Sequence, residues 1–324
     1  MSTHRNTGTT QPLVSVIVPV YNKAHFLPDA LQSFERQTYE NVEWVIVDDG
    51  SEDKSGLICR SWMPQHGTVC FLQKSNGGAS SARNEGFRHA RGEYVLFWDA
   101  DDVQEASAIE KMVNAALIEK SDVVVSAIKR TGQSGNVRNL FTCTAHKANS
   151  EDALLEWLYG EVSTGPYTKL VSRSLLVDHA IRFEEGIINE DVMWTAKVLG
   201  SAKTVLFLGV PLYHYISRPE SVTMAAADMR LIDVFDNCEK LERYIEETYP
   251  KIMGACRDYC ASTCWNVILT TSRGGVRKLH HELYLRGIEE YAKRKDDIRR
   301  CRYNLKDRLL QLLLQYHLYE LILR

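Results

Sequence analysis

Three carboxylates, Asp99, Asp101 and Asp102, follow directly on the apolar run Tyr94-Val95-Leu96-Phe97-Trp98. Carboxylates this close repel unless a cation lies between them, so Asp-x-Asp is a natural seat for a hard divalent metal. The same residues also make a solvated turn after a strand. A second acidic pair, Asp48-Asp49, closes the apolar run Val42 to Val47. A third, Glu190-Asp191, precedes Val192, Trp194 and Val198, which follow on a helix. Acid at that place suits a helix N-terminus, and it also suits a general base. His214, in Leu212-Tyr213-His214-Tyr215, is either a metal ligand or a structural imidazole between aromatics.

These groups need elements to carry them. Leu13 to Val20 reads as a buried strand, with Pro19 marking its end because proline donates nothing to a ladder. A helix follows, with Pro28 in its first turn and Ala30, Leu31 and Phe34 on one face. Val42 to Val47 is a second strand; Gly50 suits the tight turn after it, and Ser51 suits a helix cap. Val69 to Leu72, Tyr94 to Trp98 and Asp122 to Ser126 are further strands, separated by helices over Ala79 to His89 and Glu105 to Glu119. This alternation predicts an α/β fold with a mostly parallel, doubly wound sheet, whose ligands sit at the C-terminal strand ends. Thr131 to Ser150 reads as a loop or hairpin, Glu151 to Tyr159 as a helix, Phe183 to Asn189 as extended, and Val205 to Leu208 and Leu212 to Tyr215 as two short strands. Beyond Ala225 the pattern is helical, with Leu231, Val234, Phe235, Cys238, Leu241 and Ile245 on one stripe.

Composition narrows the classes. A net charge of −3 over 324 residues argues against a general nucleic-acid binder. The eight cysteines include no Cys-x-x-Cys pair, which argues against structural zinc and for a reducing compartment. Cys256, Cys260 and Cys264 recur every fourth residue and read as a buried small-residue stripe. Residues 1–11 are polar, read as a disordered tail without a secretory signal. No run approaches the ~20 apolar residues of a membrane span. The first strand is followed by Val20-Tyr21-Asn22-Lys23 rather than Gly-x-Gly-x-x-Gly, which counts against a nicotinamide dehydrogenase.

Five pieces then stand in a shared order: Pro19-Val20-Tyr21-Asn22; Val47-Asp48-Asp49-Gly50-Ser51; Asn76-Gly77-Gly78 with Ala82-Arg83-Asn84; Trp98-Asp99-Ala100-Asp101-Asp102; and Asn189-Glu190-Asp191 with Trp194. Together they resemble an inverting family 2 glycosyltransferase with the GT-A fold, of the bacterial surface-polysaccharide type. The resemblance covers Leu13 to Thr223 and implies a GT-A domain over 12–224. Residues 12–126 would be its nucleotide-sugar half and 127–224 its acceptor half, with 225–324 a helical extension outside the shared pattern.

The resemblance also implies roles. Asp49 takes the N3–H of uracil, Tyr21 lies near the base, and Pro19 supplies backbone contacts, while Asp48 either joins them or holds the turn. Arg83 lies near the nucleotide, or is a solvated helix residue. Asp99 reaches the ribose, and Asp101 binds Mn²⁺ or Mg²⁺, with His214 a further metal ligand. Asp102 orders the loop or binds a metal water. Asp191 is the catalytic base, Glu190 its neighbour near the donor sugar, and Arg218, with Ser221, lies in a loop able to close over the diphosphate. Lys169 matches a lysine of the acceptor region to which no role attaches.

The expected reaction moves a hexose or N-acetylhexosamine from a UDP-sugar to a saccharide, expected to be lipid-linked. A catalytically silent, nucleotide-sugar-binding relative would instead show a broken Asp-x-Asp or a missing base, and neither is found. Near the C-terminus, Lys293, Arg294, Lys295, Arg299, Arg300 and Arg302 precede a Leu-rich amphipathic segment, 305–323. That pattern fits peripheral attachment to an anionic membrane, or packing against protein, including a second copy of the chain. The expected location is the cytoplasm, with attachment at the inner face of the membrane.

Overall fold

Valine, isoleucine and aromatic residues pack well on a pleated surface covered on both sides, and their runs set the strands. The computed structural model describes residues 11–132, 134–141, 144–216, 229–272 and 281–294. Strands β1 (Val14–Val20), β2 (Val42–Asp48), β3 (Thr68–Gln73) and β4 (Tyr94–Phe97) alternate with helices α1 (Leu27–Glu35), α2 (Ser55–Ser61) and α3 (Gly78–His89). There follow β5 (Val103–Gln104), α4 (Ala108–Glu119), β6 (Val123–Thr131), β7 (Val137–Leu140), β8 (His146–Ala148) and α5 (Ser150–Leu158). Next come β9 (Lys169–Ser172), α6 (Arg173–Asp178), α7 (Asp191–Ser201) and β10 (Val205–Ile216). They build one sheet in the order β3-β2-β1-β4-β9-β6-β10-β5, with β7 beside β6 and β8 beside β10.

The two-residue period of β1 sorts its side chains between two layers. Val14, Val16, Val18 and Val20 join Trp44, Ile46, Leu96 and Trp98 in a core with Leu27 and Phe34 of α1 and Ile109 and Met112 of α4. Phe34 stacks on Trp44 at 4.5 Å and meets Trp98 edge-on at 4.8 Å. Each such contact adds about 0.5–1.5 kcal/mol beyond the area it buries. On the opposite face α3 comes so close that a Cβ on Gly86 would lie 2.5 Å from Ile17.

Several local expectations are corrected. Pro19 does not end β1, which runs on to Val20, with Pro19 opposite Val47. The carbonyl of Val20 accepts from Asp49 on the β2 side, whereas that of Ile17 accepts from Trp98 on the β4 side. By alternation Pro19 faces β4, which has already ended, so no ladder donor is lost. Ser51 does not cap α2; its hydroxyl accepts the Asn22 amide, and Lys54 precedes the helix. The sheet is parallel through β3-β2-β1-β4 but mixed beyond it. β9 lies antiparallel between β4 and β6, and β7, β8 and β5 are antiparallel to their partners. Connections as short as that between β6 and β7 permit only antiparallel neighbours. The two expected strands 205–208 and 212–215 are one strand, irregular around Pro211. Phe183 to Asn189 is not extended, because Gly186 (φ +82°) and Asn189 (φ +55°) turn the chain.

The chain divides into two compact units, one from 1–154, 161–186 and 190–218, the other from 155–160, 187–189 and 219–324. Within the second lie α8 (Asp233–Thr248), α9 (Met253–Ser272) and α10 (His281–Ala292). Cys238, Cys256, Cys260 and Cys264 are buried there with free thiols. Arg294 does not extend a basic surface: it is buried and paired with Glu242 (2.6 and 2.7 Å) and Glu290 (2.8 Å). Lys293 pairs with Glu290 at 2.7 Å; the basic and Leu-rich tail from residue 295 on, the N-terminal residues 1–10, Arg218 and Ser221 lie outside the described residues. Among the described residues, no helix is long and apolar enough to cross a membrane.

Candidate active site

Parallel strands leave their C-terminal turns along one edge, so the loops after β1, β2 and β4 meet. After β1, Asn22 takes a left-handed backbone (φ +50°); its amide donates to Ser51 Oγ at 3.0 Å and its side chain accepts from the Glu52 amide at 2.9 Å. The Lys23 amide donates to Ser55 Oγ at 2.7 Å and that of Ala24 to Asp53 at 3.0 Å. Tyr21 is thus presented from a loop fastened to the β2 turn, with its side chain exposed.

Asp49 is buried at that turn, and three donors converge on it: the amides of Gly77 (3.1 Å) and Gly78 (2.7 Å) and the ammonium of Lys74 (2.7 Å). Gly50 (φ +76°) lets this loop approach, since a Cβ there would lie 2.8 Å from the Asn76 nitrogen. Asp48 holds the turn, accepting from the Ser51 amide at 3.1 Å and the Gln73 side chain at 3.0 Å.

The three carboxylates after β4 go to three different partners. The Trp98 indole donates to the Asp102 carbonyl at 3.1 Å and pins the loop to the core. Asp99 pairs with Arg83 at 3.1 Å, and Asp101 with Lys23 at 2.5 Å. Asp102 turns inward, taking the Tyr213 hydroxyl at 2.7 Å and the Ile216 amide at 3.0 Å. Burial, with Asp101 nearby, pushes the Asp102 carboxyl up to about 7. Burial also raises Asp99, against the pull of Arg83.

Arg83 joins this loop to the acidic pair at the start of α7. Its other terminal nitrogen donates to Glu190 at 2.7 Å, and the guanidinium lies 5.3 Å from the centre of the Phe183 ring. Phe183 stacks on Trp194 at 4.9 Å, and Phe97 meets both edge-on. Asp191 opens α7; burial and Glu190 raise its carboxyl to about 6, while Arg83 and Lys169 act in the opposite direction.

His214 is not brought to this group. Successive residues of β10 face opposite ways, so His214 turns away from the side that gives Tyr213 to Asp102. Its Nε2 lies 2.5 Å from Thr131 Oγ1, and burial and Lys129 lower its basicity. The expectation of a His214 metal ligand therefore finds no support in the geometry. Pro19, Tyr21, Asp49, Arg83, Asp99, Asp101, Glu190 and Asp191 do fall on the elements that meet at this edge. Sequence reasoning missed Lys23, Lys74 and Tyr213 as partners of the carboxylates. Lys23 directly follows Tyr21-Asn22 and Lys74 precedes Asn76-Gly77-Gly78, which was the available signal.

A mixed α/β sheet with acidic turns gathered along one edge defines a class of fold whose ligands sit at the C-terminal ends of its parallel strands. The chain matches the model described as glycosyl transferase family 2 over residues 15–179, half its length, and belongs to that family; it is a glycosyltransferase of GT-A fold. Glycosyltransferase GlyG of Streptococcus pneumoniae is 29% identical over 237 residues, covering 69% of this chain and 78% of that protein. The minor teichoic acid biosynthesis protein GgaB of Bacillus subtilis is 30% identical over 216 residues, 64% of this chain and 23% of that protein. Among solved structures, S. aureus TarS 1-349 in complex with UDP-GlcNAc superposes with a TM-score of 0.72 at 23% identity, covering 95% of this chain and 88% of that one. Mannosyltransferase PcManGT from Pyrobaculum calidifontis, in complex with GDP-Man and Mn²⁺, gives 0.51 at 15% identity, covering 97% and 87%. At these identities the likeness to both structures is one of fold.

Proposed function

We propose that the protein transfers a hexose or N-acetylhexosamine from a UDP-sugar to a saccharide acceptor, with inversion and with a divalent metal, in the assembly of a surface polysaccharide. The observation that carries this reading is the pair of acidic centres joined by Arg83. Asp99 and Asp101 lie on one side, and the half-buried Asp191, its carboxyl raised to about 6, lies on the other. The complex named for TarS contains UDP-GlcNAc, and GgaB is named for teichoic acid biosynthesis; both names support the class of donor and acceptor.

The residues divide the work. Asp49 receives the uracil N3–H. Its oxygens are already occupied, and Lys74 is the flexible donor that gives way to the base. Tyr21 covers the base and Asp99 the ribose. An inverting transfer forms a bond from the acceptor oxygen to the anomeric carbon as the bond to the diphosphate oxygen breaks; that electron pair leaves with UDP. The acceptor proton goes to Asp191, which must be ionised to take it. Such a base contributes about 10²–10⁴-fold in rate.

Hard oxygen ligands suit Mn²⁺ or Mg²⁺, which need only one or two carboxylates when phosphates supply the rest. Among the described residues no set of three ligating side chains is poised around one point. Asp101, with Asp99 beside it, fits that two-carboxylate arrangement. When bound, the metal would neutralise charge on the departing diphosphate. Lys23 holds an ammonium on Asp101 at 2.5 Å, where the metal is assigned. Lys23→Gln should therefore tighten Mn²⁺ binding by the donor-free protein, read by the electron spin resonance of free Mn²⁺. Weaker binding in this variant would count against Asp101 as the metal ligand.

The deciding experiment is UDP release from a panel of UDP-hexoses and UDP-N-acetylhexosamines with Mn²⁺, in the wild type and in Asp191→Asn. One donor should be turned over by the wild type and at least 100-fold more slowly by the variant. Undiminished turnover rules out Asp191 as the base; UDP binding without release from any donor favours a silent relative.

A further inference from the structure

We propose that Lys169 is the positioning residue for Asp191, fixing the start of α7 and holding the carboxylate ionised; this rests on the reading of Asp191 as the base. Lys169 opens β9 and is fully buried. Its ammonium donates to the carbonyls of Ser163 (2.6 Å), Gly165 (2.9 Å) and Thr164 (3.3 Å). Three converging carbonyl acceptors require three N–H donors, which only the protonated amine supplies. Burial pulls the Lys169 ammonium down to about 7, so the side chain is a cation below that pH, and the cradle offsets part of the cost of burying it.

The cradle reaches the base through hydrogen bonds. The Thr164 carbonyl also accepts from Thr195 Oγ1 at 2.6 Å. Thr195 stands four residues after Asp191 and so on the same face of α7. Ammonium, turn and helix start are thereby one bonded unit, and a shift of Lys169 moves Asp191.

Charge supplies the second link. The groups facing Asp191 are Glu190 beside it, Arg83 from α3, Lys169 from β9 and the Tyr167 phenol from the turn before β9. Arg83 divides its charge between Asp99 and Glu190, whereas the bonds of Lys169 go to neutral oxygens. Its field is thus the less committed of the two cations that favour the ionised base. A lysine that only tied down a loop would leave the proton affinity of Asp191 alone.

Lys169→Gln removes the charge and still offers two N–H groups to the cradle; Lys169→Arg keeps the charge. The pH profile of UDP release, with the donor found above, separates them. In Lys169→Gln the acid limb should rise from its wild-type position by about one unit. In Lys169→Arg it should stay, with a lower kcat. UDP binding, followed by tryptophan quenching, establishes that each variant is folded. An unmoved limb in folded Lys169→Gln overturns the proposal, while an inactive Asp191→Asn leaves the base in place. Undiminished turnover by Asp191→Asn overturns both. Thr195→Val is the second variant, nearly isosteric and keeping the ammonium: it should lower kcat by about 3–10-fold with UDP affinity unchanged. An unchanged kcat there overturns the positioning route whether or not Lys169→Gln folds.

Discussion

A single guanidinium serves both acidic centres of the site. Arg83 is buried, its two terminal nitrogens bond Asp99 and Glu190, and its face rests on Phe183. Lysine offers a point charge and cannot span both partners, so Arg83→Lys should lose UDP affinity and turnover together. Arg83→Met leaves two carboxylates without their shared cation. Breaking a fully buried pair costs about 3–5 kcal/mol; because Asp99 and Glu190 keep some solvent, about 2–3 kcal/mol is expected by urea titration. Asp191 gives a stability prediction of opposite sign. Its folded-state carboxyl is raised to about 6 from 3.8. A raised acid stabilises the fold fully below its unfolded value, and that contribution is lost as pH rises through about 6. Asp191→Asn should therefore raise the Tm at pH 7.5 by about 3–6 °C, and the difference should close by pH 4. The carboxylates were legible because each ends an apolar run or opens a helix. Their cations were not: 23 with 101, or 83 with 190, is a pairing made by strand order, and no local pattern encodes it.

Asp102 shows how an element can be fixed by one side chain. Its two oxygens hold Tyr213 and Ile216, so the loop after β4 and the end of β10 are bonded together. Tyr167 stacks on Tyr213 at 4.2 Å and closes the group. Tyr213→Phe keeps the stack and deletes one bond to a carboxyl, which should cost about 1–2 kcal/mol in thermal unfolding. A loss in turnover exceeding that in stability would show that the loop geometry depends on this bond. At this scale the sequence was readable where local pattern decides: α3 and the first four strands fall within a residue or two of their expected limits, and α1 has Pro28 in its first turn with Ala30, Leu31 and Phe34 buried. It misled where tertiary pairing decides. β9 was hidden because Lys169-Leu170-Val171-Ser172 is too short to show a period. β10 was split because Gly209 and Pro211 look like a break when only the register shifts.

Across the whole molecule, an ordinary composition and a small net charge gave the class of protein but not its chemistry. The family match spans residues 15–179, and the helical unit, most of which lies outside that match, carries Arg294 buried against Glu242 and Glu290. Arg294→Ala should lower the thermal stability of that unit, because it removes the guanidinium that Glu242 shares with the buried Glu290, leaving Glu290 with Arg286 and Lys293. The membrane expectation for the tail concerns residues 295–324; liposome co-sedimentation unchanged by deleting 293–324 would remove it.

The place of β9 in the sheet has a consequence for time. The strand enters between β4 and β6, both earlier in the chain. On a ribosome β1 to β4 emerge first and can pair, and β6 follows, but the seam between the halves stays open until residues 169–172 have been made. Such non-local closure is slow compared with local pairing. Pulsed hydrogen exchange during refolding should find the amides of Val16 and Ile46 protected before that of Val171. The segment that closes the seam begins with Lys169, so the seam between β4 and β6 and the cradle around the Lys169 ammonium form in the same step.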